Sequence, residues 1–193
     1  MQANTRQRRQ TVFLALGVEG GLAALAWVLG RVAGRPPLGD LHWDEVDAGV
    51  GVAASLPLLV VALLLMHRPW RPLVRIRQFF DEVVRPFFEP CTVLDLALVA
   101  VVAGIGEEML FRGVFQAALC SWLGLWMGLL LASAIFGLAH LITPTYAIVA
   151  ALIGVYLGGL WIAADNLLAP MITHAVYDFV ALVYLLRIRT QTS

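Results

Sequence analysis

Apolar residues in this chain come in long runs, and the polar residues fall mainly between them. A helix that crosses a hydrocarbon core needs about 20 mostly apolar residues. Six segments of that kind can be marked: residues 11–32, 48–66, about 92–120, 122–141, 146–164 and 167–186. The pattern predicts an all-α fold, a polytopic membrane helical bundle of about six transmembrane helices. Arg6, Arg8 and Arg9 ahead of the first run resemble the n-region of a signal peptide. The apolar stretch that follows exceeds the usual 7–15 residues, however, and no A-x-A site closes it, so it is read as a span.

Between the second and third runs, residues 67–90 break the pattern differently. Arg68, Arg71, Arg75, Arg77 and Arg85 alternate with Trp70, Ile76, Phe79, Phe80, Val83, Val84, Phe87 and Phe88. That mixture predicts an interfacial amphipathic segment near anionic headgroups. Its plainest role is a topological anchor, and its functional reading is an approach surface for substrate or lipid. The whole chain, 1–193, then reads as a single membrane domain. Residues 1–90 hold two N-terminal spans and the Arg-rich loop, and residues 91–186 hold the remaining spans, where the chemistry-bearing residues discussed below concentrate.

Composition sharpens this picture. Of the 193 residues, 61% are apolar and 13% are charged, against nearer half and a quarter in soluble domains. A core of this size cannot hide so many apolar side chains, which excludes a soluble enzyme, a disordered chain and a nucleic-acid binder. Formal net charge is zero and every Lys or Arg position is Arg, so no global basic field points to DNA or RNA. Cys91 and Cys120 form neither a disulfide framework nor a CxxC pattern. The arginines of the N-terminus, of the loop after the second run and of the C-terminus (Arg187, Arg189) fall on one side of a six-span bundle. The loop at 34–47, with Asp40, Asp44, Glu45 and Asp47, is acidic and falls on the other. Positive residues stay inside, so both termini are expected to be cytoplasmic, with membrane lipid as the constant partner.

Charge at bilayer depth is expensive unless it is paired or faces water. The polar residues inside the runs are therefore informative: Glu19, Asp95, Glu107, Glu108, Arg112, His140, His174 and Asp178. Glu108 and Arg112 stand at i and i+4 with the acid first, the favourable order for a helical ion pair. Glu107 is then left without a helical counter-charge and can take a proton from water. The alternative is one satisfied buried cluster. Phe136 precedes His140 by one turn, and a lone histidine there is most often a satisfied hydrogen-bonding residue. His174 and Asp178 lie one turn apart, where the carboxylate can orient the imidazole or simply form a local pair. Together these residues combine water activation with groups able to meet a developing oxyanion, which reads as hydrolysis.

In this order and on successive apolar segments, Glu107-Glu108-x-x-x-Arg112, Phe136-x-x-x-His140 and His174-x-x-x-Asp178 resemble the CPBP family. That family includes the CAAX prenyl endopeptidases and the bacterial Abi-type intramembrane proteases. The resemblance covers about residues 94–185. It implies a helical bundle with a cavity among the motif helices, Glu107 as the water-activating base assisted by His140, and His174 with residue 178 on the oxyanion side. The substrate implied is a protein or peptide cut near its C-terminus or at a membrane-proximal segment. CAAX endopeptidases commonly carry Asn where this chain has Asp178. Ionised Asp has no N–H to offer an oxyanion, so orienting His174 is the expected role here. The chain has no HExxH. Glu107, His140 and His174 nonetheless count three possible zinc donors, and the metal-free reading, with no cofactor, is the one preferred.

Two other classes compete: a non-catalytic immunity or scaffold protein of the Abi type, and a proton-coupled transporter. No inverted repeat favours the latter. One geometric tension is visible in advance. Glu107 lies about 15 residues into the third run, roughly 22 Å at ~1.5 Å per residue, whereas His140 ends the fourth run at the cytoplasmic side. The third run is expected either to tilt or to break at Gly104 and Gly106.

Overall fold

The computed structural model describes residues 2–188; of the side chains, those of residues 5–187 are described. Arg189, used above for orientation, lies outside the described residues. The described chain is all-helical and consistent with a polytopic bundle. Its elements are α1 (Gln2–Val32), α2 (Glu45–Met66), α3 (Arg71–Phe88), α4 (Val93–Leu123), α5 (Leu125–Ala139), α6 (Pro144–Ala164) and α7 (Leu168–Val183), the last continued by a π-type turn, Tyr184–Ile188.

Several helix starts follow from local chemistry. Asp44 caps α2 by accepting from the Asp47 N–H at 2.9 Å, and Thr143 caps α6 by accepting from Tyr146, with Pro144 at the first helical position. Both geometries satisfy donors that a helix start leaves open. At α4, Thr92 and Asp95 form a reciprocal capping box. Asp95 also takes a bidentate pair from Arg8 at 2.6 and 2.9 Å. The aspartate that looks intramembrane in the sequence thus belongs to a helix terminus and ties it to α1.

Large apolar side chains point outward along the bundle: Phe13, Val60, Leu94, Trp126 and Leu152 are all exposed. Lipid is the solvent that accepts such a surface. By length and composition, four of the described helices can cross a membrane, within α1, α2, α6 and α7. The third expected span is α4, bent by 112° against the amphipathic α3; taken together, that pair brings the count to five. The fourth expected span is shorter than its apolar run. Gly124, at φ 85°, separates α5 from α4, and α5 ends at Ala139. Fifteen residues give about 22 Å of helix, below the ~30 Å core.

Of the two expected alternatives, a tilt or a break at Gly104 and Gly106, the break is absent. Both lie within regular α-helix, and the irregularity comes later, as a π-type stretch at Met109–Gln116. The glycines serve packing instead. A Cβ on Gly104 would come within 2.9 Å of the Met171 carbonyl on α7, and one on Gly106 would run into the Glu19 carbonyl on α1. Small residues let membrane helices approach in this way. Consequently α1 and α7 flank α4 on either side, while α2 packs on α7 and α5 on α6. A buried polar clasp closes the end opposite α3. Asn166 is fully buried, donates to Asp47 at 2.8 Å and to the His42 carbonyl at 3.0 Å, and accepts from the Leu168 N–H.

Candidate active site

The π-type stretch begins at the residue after Glu108. π-type bulges change the register of the side chains that follow and are frequent at functional sites. Within it, Arg112 is 1% exposed and beneath it Glu108 is 0% exposed. Arg112 Nη1 donates to Glu108 Oε1 at 2.7 Å, and Nη2 donates to the Gly154 carbonyl on α6 at 3.1 Å. The guanidinium also lies 4.7 Å from the centroid of the Phe136 ring on α5, a cation–π contact. Arg112 therefore joins α4, α5 and α6 through one side chain.

The same Glu108 Oε1 receives His174 Nδ1 from α7 at 2.7 Å. The carboxylate can only accept, so Nδ1 carries the proton. His174 Nε2 stands 3.5 Å from Asp178 Oδ2. The orienting partner at hydrogen-bond length is thus Glu108, and Asp178 faces the other nitrogen at ion-pair distance. Sequence spacing could not reveal this, because Glu108 and His174 are 66 positions apart.

Glu107 and His140 meet as well. Glu107 Oε2 lies 3.6 Å from His140 Nε2 and is buried without a hydrogen-bond partner. His140 Nδ1 is 2.9 Å from the Phe136 carbonyl one turn back. A carbonyl accepts only, which puts the proton on Nδ1 and leaves the Nε2 lone pair facing Glu107. The short α5 bears on the depth tension: it ends at Ala139, and the histidine that follows lies within reach of Glu107. Phe136 stacks near His140 at 4.5 Å between ring centroids and sits edge-on to His174 at 6.2 Å. It thereby fills the space between the two imidazoles.

A cavity of about 610 Å³ opens beside this cluster, bounded by α2, α3, α6 and α7 with residues of α1 and α4 completing its wall. Glu107 and Asp178 line it, and so does Glu19 from α1. Glu19 stands out in the sequence only as an intramembrane carboxylate with no helical partner. The close approach of α1 at Gly106 is what brings it to the level of Glu107. The rest of the wall is mainly aliphatic and aromatic, including Leu63 and Met66 of α2 and Leu73 and Ile76 of α3. The amphipathic segment therefore contributes directly to the chamber.

Among the described residues no group of three or more His, Cys, Asp or Glu side chains is disposed to hold a metal ion. His174 Nδ1 donates to Glu108 and His140 Nδ1 to the Phe136 carbonyl, which leaves the Nε2 atom of each imidazole facing a carboxyl group.

The fold and site define a polytopic helical membrane protein with an acid-bearing interior chamber. Residues 89–180, slightly under half of the chain, match the family model described as type II CAAX prenyl endopeptidase Rce1-like, consistent with the CPBP/CAAX protease family. The matched segment contains all seven motif residues, from Glu107 to Asp178, and suggests a protease. Glu19 lies outside it. No curated protein and no solved structure matches the chain.

Proposed function

We propose that the protein is an intramembrane endopeptidase that hydrolyses a peptide bond at a membrane-proximal or C-terminal segment, using water activated by Glu107 and His140. The observation that carries this reading is the Glu107–His140 pair, 3.6 Å apart at the wall of an otherwise apolar chamber. A water beside both groups gives a proton to Glu107 or to the His140 lone pair while its oxygen adds to the carbonyl carbon. The tetrahedral oxyanion forms on the His174 side. His174 holds one proton on Nδ1 against Glu108, and a second proton on Nε2 makes it a donor toward that oxygen. The proton taken from water passes to the leaving amine as the C–N bond breaks, which regenerates the free carboxylate. Glu108 and Arg112 keep His174 in place and touch no reacting atom.

The same reading has the protein in a bacterial inner membrane with both termini cytoplasmic, supported by the arginine distribution and by the exposed apolar faces of the helices. Its substrate is a membrane-associated peptide or protein and its mechanism is of the glutamate type. The test is cleavage of membrane-anchored peptides by the purified full chain in lipid nanodiscs. Product formation by wild type, abolished in both Glu107→Gln and His140→Ala, is the expected result. Unchanged product in either variant would refute the assignment.

A further inference from the structure

The chamber is charged in one sense only. Three carboxyl groups, Glu19, Glu107 and Asp178, come to its wall from three different helices. No Arg, Lys or His side chain is among the residues that line it. Arg112 donates to Glu108 and to the Gly154 carbonyl. His174 and His140 are engaged through Nδ1, by Glu108 and by the Phe136 carbonyl, and their Nε2 atoms stand 3.5 Å from Asp178 and 3.6 Å from Glu107. Among the described residues Glu19 is the wall carboxyl with no basic side chain at ion-pair distance. Two of the carboxyl groups have a buried oxygen with no hydrogen-bond partner, Glu19 Oε2 and Glu107 Oε2. Glu107 itself is only 8% exposed. Buried acceptors left unpaired in this way call for a donor from outside the chain.

Glu19 is the informative member of the three. The proposed mechanism gives it no role, it falls outside the segment that matches the protease family, and the packing of its backbone against Gly106 sets it beside the chamber. A carboxylate held in an apolar wall meets a cationic partner far better than a neutral one, and it repels an anionic one. The aliphatic remainder of the wall suits the apolar residues flanking such a charge.

We propose that this site selects a peptide carrying a cationic side chain, Lys or Arg, next to the scissile bond within an otherwise apolar stretch, with Glu19 as its principal counter-charge. This specificity rests on the endopeptidase reading and extends it. The favoured cut lies where a basic residue adjoins a transmembrane or lipid-embedded segment.

The experiment uses the full chain in phosphatidylcholine nanodiscs, a zwitterionic bilayer that does not itself sort peptides by charge. The probes are fluorescent Leu/Ala-rich peptides with C-terminal amides, identical except for one central Lys, norleucine or Glu. Binding is read by fluorescence anisotropy and cleavage by mass spectrometry. The Lys peptide is expected to bind about tenfold more tightly than the Glu peptide, a factor equivalent to ~1.4 kcal/mol, with norleucine between them. Glu19→Gln should reduce the Lys-over-norleucine preference at least threefold and Glu19→Asp should retain it, a rescue that a purely structural role would not produce. Should Glu19→Gln fail to accumulate, Asp178→Asn reports on the same acidic wall. Equal binding of the three peptides, tighter binding of the Glu peptide, or a Lys preference indifferent to both substitutions would overturn the proposal. Charge-ordered binding without cleavage of any peptide would refute the endopeptidase reading and leave the selectivity standing, whereas cleavage without charge order would do the reverse.

Discussion

Glu108 accepts from His174 Nδ1 at 2.7 Å on the very oxygen that receives Arg112. One buried carboxylate therefore neutralises a guanidinium on its own helix and fixes an imidazole on another. Removing either cationic partner leaves the other in place, but removing Glu108 strands both. Losing one member of a buried pair typically costs about 3–5 kcal/mol, because the remaining charge is uncompensated. Glu108→Ala is thus expected to be the most destabilising change in the cluster, followed by Arg112→Ala. The Glu108→Ala/Arg112→Ala double variant should recover part of the loss, though less than an isolated ion pair would, because His174 still lacks its acceptor. Thermal unfolding in detergent, scored with in-membrane abundance, measures the order. Full recovery in the double variant would mean that the His174 contact contributes nothing.

Glu107 contrasts with its neighbour. Its Oε2 is buried with no hydrogen-bond partner, and the Nε2 atom of the His140 ring faces it at 3.6 Å. Glu107→Gln keeps the shape and removes only the charge and the basicity. Activity on any verified substrate should fall by about 100-fold or more, the usual scale of general-base loss, while the unfolding temperature stays within about two degrees of wild type. A large loss of stability in this variant would make Glu107 structural. Retained activity would remove it from the chemistry.

How much of this can be read from the chain depends on how local each relationship is. Long apolar runs announce α1, α2, α6 and α7 because lipid exposure needs nothing beyond the run itself. Glu108 and Arg112 are legible as a pair because four residues is one helical turn. Relationships that span the fold are not legible. Asp95 has the look of a buried charge in sequence, because its partner Arg8 is 87 positions away. His174 has the look of a partner for Asp178, its neighbour in sequence, yet Glu108 is the closer partner. The fourth apolar run continues on both sides of α5, so hydropathy overestimates that helix. A single residue of positive φ, Gly124, sets its start. Gly104 and Gly106 suggest points of weakness, although a glycine pattern cannot by itself separate a break from a close helix crossing.

That crossing makes a prediction of its own. Gly106→Ala adds one methyl group where the Glu19 backbone already lies, and backbone cannot swing aside as a side-chain tip can. Overpacking of this kind costs about 1–3 kcal/mol. The substitution should lower thermal stability and push α1 outward, weakening any cation preference supplied by Glu19 while Glu107 and His140 remain in place. Gly17→Ala, on the same α1 with open space where its methyl group would lie, is the control and should be neutral or slightly stabilising. Equal effects from the two substitutions would contradict the close approach.

Metal removal separates the two possible chemistries of the site. Purified protein dialysed against a strong chelator is expected to keep its activity, since Glu107 and His140 suffice to activate water in the proposed mechanism. Activity lost on chelation and restored by zinc would put His174 Nε2 on a metal, with Nδ1 still donating to Glu108. The mechanism would then have to be rewritten around a ligand set of Glu107, His140 and His174.

Orientation is the remaining expectation, and it decides from which side a substrate reaches the chamber. The Arg-rich α3 contributes Leu73 and Ile76 to the chamber wall, whereas the Asn166 clasp joins Asp47 to the α6–α7 turn at the other end. If positive residues stay inside, α3 marks the cytoplasmic face and the chamber is approached from there. In a background with Cys91 and Cys120 replaced by Ala, Arg75→Cys should be protected from a membrane-impermeant maleimide added to intact cells and labelled once the cells are opened. Glu45→Cys should be labelled from outside. Both positions are exposed at the protein surface, so protection reports the bilayer and not burial. The reverse pattern would turn the bundle over. The arginines would then have failed as topological determinants, and α3, with the chamber wall it supplies, would face the outer side of the membrane.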